Sequence, residues 1–513
     1  GRRFGEDQRY GVRVNTVLRD GDMAIDRQEQ RLAQLSAAFD ARWDGLRLSA
    51  DLGYLNLHGG PQPYSVDVAP GLPVPRAPDA GRNYNQPWEY VDVDGTVYGM
   101  ARVEADLSAG LTAYAAAGGR DESMEFLYTS PYLTAANGNF EAAPYALPWK
   151  EKALSGEAGL RGHLTTGPVA HQWNLGLTRL DLRRGLRFVA FADFQSNLYD
   201  PVDQPKPNLA GVYADPLKTY DANFTSYVVS DTLSVAEERL QLTLGARQQK
   251  IDVSNFNQGT GARTSRYTQD KVTPVAGLLF KPRDNLSLYF NYVEGLSQGP
   301  VAPNNAENAG EVFEPFVAKQ YEAGAKADWG GWATTIGVFQ LSQPQGFNQP
   351  LPSDPTKFTF TVEGEQRVRG VELQVFGEPR PGLRTLGGLT WMEGEQVKTT
   401  GGTFDGKDAT GVPALQGNLN LEWDVPALAG FTVWQRTLYT ASQYLDRGNA
   451  QKLPDWTRLD AGVRHRFTRS EGRDLVLRAS VENLLDKDYW VSSARSLTLS
   501  SPRTLLVSAT FDF

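Results

Sequence analysis

Along most of the chain, apolar and polar residues alternate one for one over short stretches, which is the period of a β-strand. Within 239–247, Leu240, Leu242, Leu244 and Ala246 share one face, and Gln241, Thr243 and Arg247 the other. Residues 285–292 set Leu286, Leu288, Phe290 and Tyr292 against Asn285, Ser287, Tyr289 and Asn291. The stretches 10–19, 418–423 and 474–482 alternate in the same way. The chain stops on one more such strand, with Leu505, Val507, Ala509, Phe511 and Phe513 on one face. Soluble chains usually fray at their ends. A last strand that ends on an aromatic ring instead fits a membrane barrel, whose girdles of rings lie at the interface. Arg13, Arg19, Arg247, Arg478 and Glu482 fall on the polar faces, deep within their strands. In a sandwich the polar face meets bulk water, whereas charge at such depth fits a wide lumen with lipid outside.

The connections alternate in length. Short ones fall at 43–45, 107–110, 165–168, 281–285, 329–331, 378–382, 424–430 and 468–473. Long ones are expected at 58–90, 120–150, 183–220, 252–270 and 297–316. Short turns on one rim and long loops on the other are the asymmetry of a bacterial outer-membrane barrel, with the turns periplasmic and the loops extracellular. The expectation is an all-β chain forming one large antiparallel transmembrane β-barrel of about 20 strands. Both ends would lie on the turn rim, and the lumen would be too wide for side chains to fill.

A length of 513 residues would usually mean several soluble domains, yet no linker, charge block or low-complexity stretch divides the chain. No apolar run reaches the roughly 18–20 residues of a spanning helix, a test that alternating strands evade. Aromatic residues make up 11%, with 21 Tyr and 11 Trp, which suits interface belts and binding loops. Cysteine is absent, which excludes thiol chemistry, thiolate metal sites and disulfides. A net charge of −9 gives nucleic acid no electrostatic footprint. The opening Gly1-Arg2-Arg3-Phe4-Gly5 lacks the apolar core of a leader, so a mature chain or a fragment of one is expected. There is no nucleophile elbow, His-Glu-x-x-His or phosphate-cradling glycine loop, so no enzyme is expected.

Near the C-terminus, Asn483-Leu484-Leu485-Asp486-Lys487-Asp488-Tyr489 is followed by Pro502-Arg503-Thr504. This pair resembles the box that opens the last extracellular loop of TonB-dependent receptors and the step that begins their closing strand. Leu485 stands where the family usually has Phe. The segments 288–295, 319–326, 369–373 and 457–462 are similar to further strands of that family, in order. Arg2-Arg3-Phe4-Gly5 with Tyr10-Gly11-Val12-Arg13-Val14-Asn15 resembles the part just after the family's first barrel hairpin, in the ferric-siderophore branch. The resemblance implies a 22-stranded barrel preceded by a plug domain and a TonB-contacting box. Residues 1–513 would then be the barrel domain, lacking plug, TonB box and first hairpin, with a gap where the last strand would meet the first.

The resemblance further implies a monomeric active transporter in outer-membrane lipid, folded by the barrel-assembly machinery, which reads the terminal Phe. It would bind a ferric siderophore in its loops and import it with energy relayed by TonB, with no intrinsic cofactor. Aromatic residues cluster where such a ligand would bind: Tyr54, Tyr64, Tyr84, Trp88 and Tyr90, then Phe126, Tyr128, Tyr132, Tyr145 and Trp149, then Tyr199, Tyr213 and Tyr220. Rings can bury a bulky chelate while their hydroxyl and indole donors stay useful, and they can equally well pack loops on one another. The candidate ligand residues are Tyr84, Trp88, Tyr90, Tyr128, Tyr132, Tyr199 and Tyr213, with Arg76 and Arg82 for charge-assisted bonds to an anionic chelate. His163 and His171 flank one turn and are expected to face each other, too few for a zinc site. Only His58 lies near a long loop, which disfavours heme. Three other readings stay open: a passive porin-like channel, a TonB-dependent importer of other cargo such as cobalamin, and a soluble all-β binding protein.

Overall fold

The computed structural model describes the chain except residues 62–64, 352, 469–472, 494–495 and 513, and the side chains of 355, 356 and 493. Phe513, Tyr64 and most of the turn at 468–473 therefore lie outside the described residues. Among the described residues one sheet holds 24 strands, antiparallel except where Asp67–Val68 runs parallel to Leu111–Leu133. Four are short pieces, Arg2–Phe4, Asp67–Val68, Val189–Ala190 and Phe194–Asn197. The other twenty, from Tyr10–Asp22 to Thr504–Phe511, each pair with the next along the chain. Among the described residues no ladder joins Thr504–Phe511 back to Tyr10–Asp22. The sheet nevertheless rolls round. The Ala80 amide donates to Asp488 Oδ1 at 2.8 Å, between residues 408 apart in sequence.

The register carries one face around the wall. Leu242 lies opposite Leu278, then Phe290, Ala323, Val338, Val371 and Trp391 follow in turn across successive ladders. Most of these side chains are large, apolar and exposed, which fits a surface that meets lipid. Rings mark its lower edge beside the short turns. Tyr10 and Trp43 lie 6.0 Å apart, Trp329 and Trp332 5.7 Å, and His465 sits between Phe431 and Phe467. Tyr292 and Tyr321, 4.9 Å apart, mark the upper edge.

The inner face is polar and cross-linked. Glu104 accepts from Arg47 at 3.1 Å, Arg102 at 2.9 Å and Arg161 at 2.7 Å, each from a different strand. Tyrosines on this face lie flat over glycines of neighbouring strands: Tyr98 over Gly53, Tyr114 over Gly159, Tyr289 over Gly324. Where a strand has no side chain, the neighbouring ring fills the space and keeps the wall smooth.

Seven of the expected short turns fall where the sequence places them. One was not legible: residues 236–239 turn without glycine, with Ala236, Glu237 and Glu238 all at positive φ. Two expected long loops are mostly strand. Leu111–Leu133 and Asn139–Thr166 form one tall hairpin, and Leu240–Phe256 and Arg263–Arg283 another. Pro131, Pro144 and Pro148 disguised the first, because proline cannot donate to a ladder. Here the Pro144 and Pro148 carbonyls accept from Phe191 and Arg187 of a neighbouring loop. The hairpin's bare edges are covered by Asp67–Val68 on one side, and by Val189–Ala190 and Phe194–Asn197 on the other. His163 and His171 do not face each other. Gln172 lies opposite His163 and Leu164 opposite His171, so the two rings point to opposite faces, and His171 Nδ1 pairs with Asp231 at 2.7 Å.

Candidate ligand-binding mouth

Over the loop rim the connections pack into a crown. One of the two longest, 60–89, carries seven prolines in its sequence, at 61, 63, 70, 73, 75, 78 and 87, and proline fixes φ. Val66, Ala77, Ala80 and Tyr84 of this loop enter one core with Leu133 and Phe140 of the tall hairpin, Leu198, Leu445, Leu453 and Trp490. Val66 pairs with Leu497, Trp490 Nε1 donates to the Pro75 carbonyl at 2.9 Å, and Gln451 Nε2 donates to the carbonyls of Ala69 and Leu72. Loop 60–89 thus reaches from the early strands to the last two loops. On the inner face another loop, 298–315, packs Val301 and Val312 against Ile251, Val253 and Tyr267.

The nine candidate residues fall into several groups. Tyr84 is enclosed at 1% exposure, and burial with the nearby Glu89 charge raises its phenol. Trp88, Tyr90 and Tyr213 pack together around Leu127, Ala146 and Val212. Trp88 Nε1 donates to the Gln204 carbonyl at 2.8 Å, and Tyr213 Oη to the Phe126 carbonyl at 3.2 Å. Arg76, Arg82 and Tyr199 form a second group. Tyr199 Oη donates to the Arg76 carbonyl at 2.7 Å, and Arg82 donates to the Tyr199 carbonyl. Tyr128 lies 5.6 Å from Tyr145, which stacks near Phe188. Tyr132 sits in the ladder opposite Asp67, with its side chain exposed. Arg76 and Arg82 are exposed and the remaining rings half-buried. Burial raises Tyr128, Tyr199 and Tyr213 as well. Burial thus disfavours the phenolate at these positions and favours the neutral, proton-donating form.

Sequence reasoning missed several residues that build the mouth. Glu89, 2% exposed, accepts from Asn85 Nδ2 at 2.7 Å, Gln86 N at 2.8 Å and Thr129 Oγ1 at 2.6 Å. Burial pushes its carboxyl up to about 7. Just inside the wall, Arg184 lies over Trp149 at 4.2 Å and over Tyr220 at 5.3 Å, with Glu151 bonded to both Arg184 and Arg120. Trp456 stacks on Tyr489 at 4.4 Å. Nothing in the alternation singles out Glu89, Arg184, Glu151 or Trp456, because what they touch is set by the packing of loops and strands on one another.

The motifs of the last loop have a structural explanation. Asn483, at positive φ, donates through Nδ2 to the carbonyls of Lys487 and Ser501 at 3.0 Å each. Its amide donates to Asp460, a fully enclosed carboxylate that also binds Arg436 and Arg458. Asp486 pairs with Arg503 at 3.0 Å. The box and the Pro-Arg-Thr step are thus the two ends of one loop, tied together.

An aliphatic outer band between two rings of aromatics, a charged inner face, short turns below and a packed crown above define an outer-membrane β-barrel with an extracellular mouth. Residues 34–484 match the family model described as TonB dependent receptor-like, beta-barrel, and the chain belongs to that family. It resides in the outer membrane of a Gram-negative bacterium. It is 33% identical to the ferrichrome receptor FcuA of Yersinia enterocolitica, over 100% of this chain and 68% of that protein. The ferrichrome outer membrane transporter/phage receptor of Escherichia coli K12 is 26% identical over 74% of this chain and 51% of that protein. The crystal structure of BauA, the ferric preacinetobactin receptor of Acinetobacter baumannii, superposes with a TM-score of 0.92. It is 31% identical and covers 100% of this chain and 76% of that one. Several other curated relatives are spanned by this chain over only 50–60% of their length.

Proposed function

We propose that this chain forms the wall and mouth of an active importer that binds a ferric siderophore in its crown and passes it inward with energy relayed by TonB. The observation that carries this is likeness across the whole chain, at 33% and 31% identity, to receptors named for ferrichrome and ferric preacinetobactin. Within the crown, Tyr132, Arg76 and Arg82 are the exposed candidates for ligand contact, and Trp88, Tyr90, Tyr128, Tyr199 and Tyr213 the half-buried ones. Tyr84 would then act from beneath, holding loop 60–89. The protein would work as a monomer in outer-membrane lipid, delivered by the barrel-assembly machinery, without an intrinsic cofactor.

The inner face favours a plugged barrel over an open channel. Phe376 and Leu386 lie opposite each other on that face at 50% and 60% exposure, and Val275 and Val293 form a second such pair. Apolar pairs in a water-filled pore would be left uncovered, and a folded plug would bury them.

The test is uptake of labelled iron by cells whose only siderophore receptor is the full-length protein, across hydroxamate, catecholate and mixed chelates. Saturable uptake that stops when TonB is deleted is expected. Uptake indifferent to TonB, with a large stable conductance of the full-length protein in planar bilayers, would support a passive channel instead.

A further inference from the structure

We infer that Arg27 is a positioning residue of the mouth, a clamp that holds loops 60–89 and 187–217 in one arrangement before ligand arrives. Arg27 belongs to the short connection 23–28 and contributes nothing to either core cluster around the candidate residues. Its guanidinium reaches three groups on two other loops. Nη1 pairs with Asp203 Oδ1 at 2.8 Å, and Nη2 donates to the carbonyls of Asn83 at 2.7 Å and Asn85 at 3.0 Å. A planar fork with several donors suits such divergent acceptors, and an ammonium matches them less well.

The positions clamped are the ones that carry the candidate residues. Asn83 and Asn85 flank Tyr84 and stand a few residues before Trp88 and Tyr90. Asp203 lies four residues after Tyr199. The same two segments meet again where Gln86 Nε2 donates to the Val202 carbonyl at 3.2 Å and the Gln204 amide donates to Gln86 Oε1 at 2.7 Å. Arg27 holds a left-handed backbone, φ +63°, uncommon for a residue with a side chain. Two hydrogen bonds brace the turn at its base, Met23 N to the Gln28 carbonyl at 2.7 Å and Gln28 N to the Ile25 carbonyl at 3.2 Å. A braced turn that spends its arginine on two foreign loops pre-organises those loops, and pre-organisation is read as ligand affinity.

This inference rests on the siderophore reading, and two measurements on the full-length protein separate them. In the first, amide exchange is followed without ligand. Arg27→Ala is expected to speed exchange in both 83–89 and 200–204 while the wall strands stay protected. In the second, ferrichrome and ferric preacinetobactin serve as probes. Whichever binds the wild type is expected to bind Arg27→Ala about tenfold more weakly, with uptake KM raised and maximal rate kept. Arg27→Lys keeps the charge toward Asp203 and loses the fork, so it should recover only part of the affinity. Unchanged exchange in both segments overturns the clamp. Faster exchange with unchanged affinity overturns its positioning role. A wild-type protein that binds and imports no chelate overturns the siderophore reading, and the exchange result then decides the clamp by itself.

Discussion

At the scale of single residues, the informative groups are buried carboxyls held by several partners at once. Glu89 lies at the root of loop 60–89 and accepts three hydrogen bonds. Its carboxyl sits at about 7 in the folded protein against an ordinary 4.5. A raised carboxyl is held more firmly when protonated, so its stabilisation is full below about pH 4.5 and fades as pH rises through 7. The loop root should lose on the order of 3 kcal/mol between those limits. Amide exchange across 85–89 should therefore speed up from pH 5 to pH 8, after correction for intrinsic rates, and Glu89→Gln should flatten that dependence. Asp460 is the opposite case, enclosed and ionised between Arg436 and Arg458. Asp460→Asn would weaken the hold on Arg436 and Arg458, which keep Glu482 as a shared partner, a loss of about 1–3 kcal/mol. Urea unfolding of detergent-refolded protein measures it, with a lower midpoint expected.

At the scale of the strand, the inner wall depends on rings laid over glycines. The three atoms nearest a Cβ at Gly53 would all belong to the Tyr98 side chain. A Cβ at Gly324 would meet the Ile336 carbonyl as well as the Tyr289 ring at 2.7 Å. Each glycine-to-alanine change should destabilise the wall by about 1–3 kcal/mol, with Gly324→Ala the worse. The double change with Tyr98→Ala should rescue Gly53→Ala, whereas Tyr289→Ala should rescue Gly324→Ala only in part, since the carbonyl remains. Folded-band heat resistance on gels gives the ranking. The strands themselves were legible, because a lipid-facing row and a lumen-facing row must alternate residue by residue. The tops of the tall hairpins were not. Above the membrane both faces meet protein, so the alternation fades and prolines are tolerated wherever a neighbouring loop can donate. The turn at 236–239 escaped for the converse reason, having no glycine to mark its left-handed residues. Trp88, Tyr90 and Tyr213 were singled out as rings in loops, and they do sit together. Which loops touch one another is set by the roll of the sheet, which no local pattern encodes, and so Arg27 and Glu89 went unseen.

At the scale of the whole molecule, the crown joins what the described ladder leaves apart. Among the described residues no strand pairing links the last strand with Tyr10–Asp22, yet loop 60–89 meets the final loop through several contacts. Val66 pairs with Leu497, Asp67 accepts from Ser496 at 2.6 Å, the Ala80 amide binds Asp488, and the Trp490 indole binds the Pro75 carbonyl. Trp490, 3% exposed, is the largest side chain in that join. A strap this rich in proline has little freedom to lose on being fastened, so its anchorage depends on few contacts. Trp490→Ala would remove the ring from the core and its donor from Pro75, at about 3–5 kcal/mol by the usual cost of emptying such a site. The wall is held by its own ladders and should not feel the change. The expectation is therefore a split result in outer-membrane fragments: protease cleaves loop 60–89 faster, while heat-resistant gel mobility of the barrel is unchanged. If both properties fell together, crown and wall would be one cooperative unit. The mouth could not then rearrange around a ligand without loosening the barrel that holds it.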